Sequence, residues 1–415
     1  MRYIFLICFF IFNLNGGDLT LDISKQVDTL PSLMIENGSE TDSRLNKKFQ
    51  RSLISDMNVV SIFNVDRKIN RVNFDSDEVA RESRKSDYVL RFKIDSLDGS
   101  SYKTEIKFFD HSKVILQKNY TIHKENLYVF VAHAIAFDIN RVMGEDDIDW
   151  IKRKVVISRL SRRNESQIII TDYTLAYQHV MIKGGLNVFP QWANERQTAL
   201  YYTSLTGLKP TLYRFDTKTG KKRKIMSSDG MMVCSDVSED GSKLLLTMAP
   251  NGQPDIYLFD VRSGKTERLT RYSGIDVSGQ FMGNNSIVFI SNRMGYPNVF
   301  SKKIGSKAVV QMVYYGKSNV ACSAHKEYIV YKSRETSNAF STNTFNLHLI
   351  STKTDFIRRL TATGVNEFPR FSKDGSAILF IKNYKNQSSI GVVRLEYNKN
   401  YLFPLRSGKI QSLDW

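Results

Sequence analysis

Apolar positions in the first third of the chain recur with two alternating periods. Leu19, Leu21 and Ile23 alternate with Thr20, Asp22 and Ser24, which predicts a short half-buried strand over 19–24. Leu45, Phe49 and Leu53 stand four apart and predict a helix over 39–57, with Ser39 or Thr41 as its N-cap. A strand over 59–64 and a polar helix over 75–84 follow, then a strand over 88–94. Strands over 102–109 and 114–122 are joined through Asp110-His111-Ser112-Lys113 as a hairpin. Phe130, Val131, Ala134, Ile135 and Ile139 keep the three-four spacing of an amphipathic helix over 126–142, and Gly144 is its stop signal. Strands and helices in this order predict a compact α/β domain, and the acidic stretch 145–149 reads as its exit linker.

Beyond Arg153 the helical period vanishes and strand-plus-turn units recur. Leu212-Tyr213-Arg214-Phe215-Asp216 is matched by Ile256-Tyr257-Leu258-Phe259-Asp260, a displacement of 44 residues, and Phe300 lies 43 after Tyr257. Ser238-Glu239-Asp240-Gly241-Ser242 returns as Ser372-Lys373-Asp374-Gly375-Ser376, where Gly permits the positive φ of a tight turn between strands. Four short strands per period of about 44 residues are the mark of propeller blades, and about six periods fit between Arg153 and Trp415. The first unit opens with Lys154-Val155-Val156-Ile157-Ser158, a second strand lacking an inner one. The tail Ile410-Gln411-Ser412-Leu413-Asp414-Trp415 resembles the inner strand Val188-Phe189-Pro190-Gln191-Trp192. The predicted architecture is an N-terminal α/β domain followed by an all-β six-bladed β-propeller closed by a C-terminal strand, which leaves no open sheet edge in the ring.

The N-terminus alters the setting. Arg2, an uncharged run from Tyr3 to Leu14, and Gly16-Gly17 make a secretory signal peptide over 1–17, with an uncleaved anchor as the alternative. The run is too short to cross a bilayer as a helix. The chain thus divides into 1–17, an α/β domain over 18–149 and a propeller over 150–415. Of the 3 cysteines, Cys8 leaves with the leader. Cys234 and Cys322 stand two repeats apart in a radial fold and are expected as buried free thiols. The net charge of +17 is scattered in short clusters such as Arg162-Arg163 and residues 221–224, and reads as a solvated surface. No nucleic-acid-binding motif accompanies it, so no nucleic-acid partner is expected.

The repeats carry a family resemblance. Ser291-Asn292-Arg293-Met294-Gly295-Tyr296-Pro297-Asn298-Val299-Phe300 is similar to the repeat motif of the TolB family. So are Ser238-Glu239-Asp240-Gly241 and residues 255–270, which end in Ser263-Gly264-Lys265-Thr266-Glu267-Arg268-Leu269-Thr270. The helix end over 133–144 also resembles that family, and the order of leader, α/β domain and six repeats covers nearly the whole chain. The resemblance implies a periplasmic, non-enzymatic component of the Tol–Pal envelope system, without cofactor and not itself membrane-embedded. It implies binding of the peptidoglycan-associated lipoprotein Pal over the propeller mouth and of the inner-membrane protein TolA through the mature N-terminus. It also implies a part in outer-membrane integrity and in constriction during division.

Carried onto this chain, the TolA contact maps to Leu19, Leu21 and Ile23, a strand able to add to a partner sheet, or else an ordinary edge of its own domain. The Pal face maps to the loops leading into the inner strands: Asn187, Phe189, Met231, Asp276, Ser278, Asn319, Asn366, Glu367 and Phe368. Relatives place a His and a Glu where Met231 and Ser278 stand. Phe189 and Phe368 are equally readable as core residues below the rim.

Catalytic patterns are missing from the sequence. No Gly-x-Ser-x-Gly elbow occurs, the six histidines lack His-Glu-x-x-His spacing, and Asp146, Asp147 and Asp149 lack the Gly and Glu of a calcium loop. His133, on the long helix, reads as a packed or surface residue. The rival readings are a peptidase-related propeller without its catalytic domain and a propeller binding a glycan or peptide in its funnel.

Overall fold

The computed structural model describes residues 30–41, 43–335 and 344–415. The leader expected over 1–17 and the strand carrying Leu19, Leu21 and Ile23 lie outside the described residues. Among those described, no helix is long and apolar enough to cross a membrane.

The N-terminal domain is a mixed five-stranded sheet carrying two helices. Its elements are β1 (Ser32–Asn37), α1 (Arg44–Val60), β2 (Asn64–Arg71), β3 (Tyr88–Ser96), β4 (Tyr102–Asp110), β5 (Lys113–Ile122) and α2 (Tyr128–Val142). The sheet order is β2-β1-β3-β4-β5, with β1 parallel to both neighbours and β3, β4 and β5 antiparallel. Phe49, Leu53, Met57 and Val60 of α1 and Val129, Ile135 and Ile139 of α2 are fully buried in one core with Leu90, Phe92 and Phe108 of the sheet.

Three of the predicted elements differ. The helix begins at Arg44, where the Ser43 hydroxyl accepts from the Asn46 amide at 3.1 Å, and it runs on through Val60. Burial of Val59 and Val60 on the apolar stripe outweighs their strand preference, so the strand expected over 59–64 starts instead at Asn64. The helix expected over 75–84 is an irregular loop ending in a single turn at Ser83–Lys85. Its carbonyls are taken by Arg91, which donates to Asn73, Phe74, Ser76 and Glu78, the last at 2.7 Å. The same guanidinium pairs with Glu36 at 2.8 Å, both side chains fully buried.

The rest of the described chain forms six four-stranded antiparallel blades. Blade one is assembled from both ends of this region: Lys409–Asp414 is its inner strand, followed by Val155–Arg162, Glu165–Thr171 and Gln178–Ile182. Blades two to six occupy 187–227, 232–268, 276–311, 317–359 and 365–404 in chain order. One parallel pair, Phe345 with Val365, ties blade five to blade six. The expected closure by the C-terminal strand is what the register shows.

Interiors between blades are tightly filled. Gly391 lies where a Cβ would stand 2.2 Å from the ring of Phe380, itself 1% exposed. Gly391→Ala is therefore expected to destabilise the protein by about 1–3 kcal/mol, read by urea denaturation. A cost below measurement error would show that Phe380 can move aside.

The α/β domain lies against blades six and one. Ser61, at the end of α1, meets the Tyr401 hydroxyl at 2.9 Å, and the Tyr397 hydroxyl reaches Glu145 at 3.3 Å. Trp150, Tyr173, Phe403 and Trp415 make a continuous aromatic contact across the junction.

Candidate protein-docking face

Antiparallel blades of this connectivity place two sets of loops on one face of the ring: those leading into each inner strand and those joining second to third strands. The residues expected at the Pal face all come from this side, but the structure sorts them into two groups.

Asn187, Asp276, Asn319 and Asn366 are buried below the rim, at 3%, 0%, 0% and 0% exposure. Each closes its own loop onto the neighbouring structure. Asn187 donates to the Gly184 carbonyl at 2.9 Å, Asn319 to that of Tyr315 at 2.8 Å, and Asn366 to that of Thr363 at 3.1 Å. Asp276 accepts two bonds from Arg293 at 3.0 Å. In this structure the four side chains are held inward rather than presented at the surface: the three amides satisfy buried backbone carbonyls, and Asp276 holds the Arg293 guanidinium.

Phe189, Met231, Ser278, Glu367 and Phe368 instead come together around a cavity of about 580 Å3 at the mouth of the central channel. Phe189, Ser278 and Phe368 reach it through bulges in the inner strands, where they adopt left-handed backbone with φ of 53°, 56° and 50°. Ala321 of blade five does the same at φ 52°. A non-glycine residue in that region costs about 1–2 kcal/mol, so the same strained conformation recurs around the mouth in four of the blades. The half-buried rings of Phe189 and Phe368 lie 6.2 Å apart across the opening. Glu367 is held by Lys332 at 2.8 Å and by Asn383 at 3.0 Å. Cys234 and Cys322 are free and buried in the cavity wall, and burial pushes the Cys322 thiol up to about 12, so it stays neutral.

The floor of the cavity is a polar neck. Arg370 of blade six reaches across to the Gln280 side chain of blade four and the Ser235 carbonyl of blade three, the latter at 3.0 Å. Beneath it, Asp236 accepts from the Phe281 amide at 2.7 Å and Asp414 from the Trp192 amide at 2.8 Å. Burial raises both carboxyls, Asp236 to about 6, against the pull of Arg370. Past the neck a second cavity of about 950 Å3 opens on the opposite face. There Lys373 links Glu195 at 2.6 Å and Glu239 at 3.6 Å across the opening. Among the described residues no group of three or more His, Cys, Asp or Glu is placed to hold a metal ion.

Sequence reasoning missed the widest feature of the rim face. Leu205, Met231, Ile275, Met294, Tyr314 and Tyr315 all stand exposed in its loops, Tyr314 at 73%. Of these, only Met231 was anticipated. The other exposed large apolar side chains of the propeller include Val180, Val310 and Leu402 on outer strands, and the described loops of the opposite face carry none. The signal lay in the loops themselves, in Tyr314-Tyr315-Gly316 and Met294-Gly295-Tyr296, where apolar residues sit in turns that no core can cover. Gln280 and Arg370, four residues after Asp276 and Asn366, were also passed over; the bulge sets which inner-strand residue faces the channel.

Comparison with known proteins gives the lineage. A model of the TolB β-propeller domain matches residues 152–415. The Tol-Pal system protein TolB of Wolinella succinogenes is 48% identical over 407 residues, covering 96% of each chain. The protein of the same name from Campylobacter jejuni (strain RM1221) is 43% identical over 409 residues, covering 98% of each. TolB from Acinetobacter baumannii, a solved structure 17% identical, has the same fold with a TM-score of 0.75 over 93% of this chain and 98% of that one. On sequence and fold together, this chain belongs to the TolB family of the Tol-Pal system.

Proposed function

We propose that the protein is a non-enzymatic periplasmic adaptor whose rim face docks the peptidoglycan-associated lipoprotein Pal and whose N-terminal segment, with Leu19, Leu21 and Ile23, engages TolA. In that role it supports outer-membrane integrity and constriction during division. The observation that carries the docking assignment is the crowding of exposed apolar side chains around the channel mouth, on one face only. Protein interfaces combine such an apolar centre with a polar surround, and a few desolvated anchors carry most of the affinity. Met231 at 48% exposure and the paired rings of Phe189 and Phe368 are the anchors of this reading, with Ser278 and Glu367 beside them. Asn187, Asp276, Asn319 and Asn366 then act on the partner through the loops they hold.

The test is titration calorimetry against the soluble domain of the lipoprotein from the same genome. Met231→Asp places a charge among apolar contacts and is expected to weaken binding at least tenfold, with the melting temperature unchanged. Full affinity in that variant would remove the rim face from the interface. Binding to TolA is expected to require residues 18–24, and an unchanged affinity after their deletion would overturn that half of the proposal.

A further inference from the structure

The rim face is divided electrically as well as chemically. Over blades two to five its charged side chains are mostly engaged. Lys209 pairs with Asp229, Arg268 with Asp255, Arg293 with Asp276, and Arg359 with Glu335, Arg271 and Arg334 being exceptions. Over blades six and one the pattern reverses. Arg162, the last residue of the second strand of blade one, and Arg163 stand at the hairpin to its third strand, and Lys183 in the loop leading to blade two. Lys385 occupies the matching turn of blade six, Arg406 the loop between blades six and one, and Lys409 the first position of the inner strand that follows. All six are exposed, and none forms an ion pair with a carboxylate among the described residues. Glu165, opposite Arg162 across the hairpin of blade one, is the one acidic residue at or beside these four loops.

Six cations against one carboxylate on adjoining loops create a positive field that is not cancelled locally. The exposed apolar residues named above all belong to blades two to four. On the basic side Tyr384 of blade six, under Lys385, is the one exposed large apolar side chain at the described rim, so the mouth is flanked by a mainly apolar arc and a mainly basic arc. We infer that the partner docked on this face carries a cluster of carboxylates beside its apolar patch, aligned with blades six and one. This rests on the docking assignment above and adds to it the orientation and charge of the partner. A folded protein suits the arrangement better than a lipid surface, because the cations are confined to one side of a concave mouth rather than encircling protruding apolar tips.

Charge complementarity of this kind acts mainly through the association rate and is screened by salt. The experiment is stopped-flow and equilibrium binding to the soluble lipoprotein domain at low and high NaCl. The proteins compared are the full chain, the pair Arg162→Glu/Arg163→Glu, the pair Lys385→Glu/Lys409→Glu, and Met231→Asp. The parent's association rate is expected to fall about tenfold with added salt, and each charge-reversed pair to lose about tenfold in affinity at low salt. Met231→Asp, which adds a single carboxylate, is expected to keep most of the parent's salt dependence. A parent that binds without salt dependence, with both reversed pairs within about twofold of it, overturns the acidic partner but leaves the docking face standing. A parent that does not bind the lipoprotein domain at all sinks the docking assignment itself. Binding in that case to phosphatidylglycerol vesicles, lost in the reversed pairs, assigns the basic arc to lipid and overturns the inference.

Discussion

His133→Gln is expected to lower stability by about 3–5 kcal/mol at neutral pH and to abolish a loss of stability that the parent shows at alkaline pH. His133 of α2 is fully buried, with its Nδ1 2.9 Å from Asp56 of α1 and its Nε2 3.4 Å from Asp172 of blade one. Asp56 also accepts from the Tyr173 hydroxyl at 2.5 Å, and Asp172 from the Tyr177 amide at 2.7 Å. Burial alone would push the imidazole down, but the Asp56 charge and the pairing with Asp172 overcome it and lift His133 to about 9. Burial likewise works against Asp172, yet pairing with His133 holds its carboxyl below the ordinary range, so the imidazolium sits against a fixed negative charge. Asp56 is raised by the same burial.

A histidine raised in the folded state contributes stability that is complete below its unfolded value of about 6.5 and is lost as pH rises through the folded one. Urea melts of parent and variant from about pH 6 to pH 10 should therefore converge, with the difference between them shrinking through pH 9. Lysine and tyrosine ionisation affects both proteins and drops out of that difference. A constant gap across the range would show that His133 is neutral in the folded protein. The cluster joins the α/β domain to the propeller, so its loss is also expected to separate their unfolding into two transitions by calorimetry.

The second large effect is expected at Arg91. Arg91→Met strips the buried Glu36 carboxylate of its cation, leaves the Ser76 carbonyl without its donor, and takes one of two donors from the carbonyls of Asn73 and Glu78. An uncompensated buried charge of this kind costs about 3–5 kcal/mol. Methionine recovers part of the packing against Phe109, over whose ring the guanidinium lies at 5.0 Å. Pairing it with Glu36→Leu should restore much of the loss, since the stranded charge is then gone. The Ala80 amide, which Glu36 now accepts at 2.8 Å, remains the cost that is not recovered. Guanidinium melts of the two single variants and the double decide it, and additive losses would show that Arg91 and Glu36 are not coupled.

The expected polar helix over 75–84 and the observed loop around Arg91 show where reading along the chain stops. Polar spacing favours a helix there, but Arg91, in β3, reaches back to claim the carbonyls before the helix can use them. His133 is the same case at larger scale. Its neighbours in sequence describe an apolar helix face, while its two carboxylates come from positions 56 and 172. The rim residues divide for a related reason. Asn187, Asp276, Asn319 and Asn366 read as polar loop positions, but the turn of each loop folds the amide or carboxylate inward. The bulge one or two residues later swings Phe189, Ser278 and Phe368 to the mouth.

What the sequence determined by itself was the succession of an α/β unit and six repeats, and the tail strand that completes the first blade. Alternation of apolar side chains and Asp-Gly turns are local properties, and a repeat of about 44 residues leaves a ring as the way to bury them. The tertiary structure alone decided which side chains face the channel, which loop residues are pins, and how the charges of the rim are divided between paired and unpaired. Those outcomes depend on bulge register and on partners far away in the chain, and neither leaves a periodic trace in the order of residues.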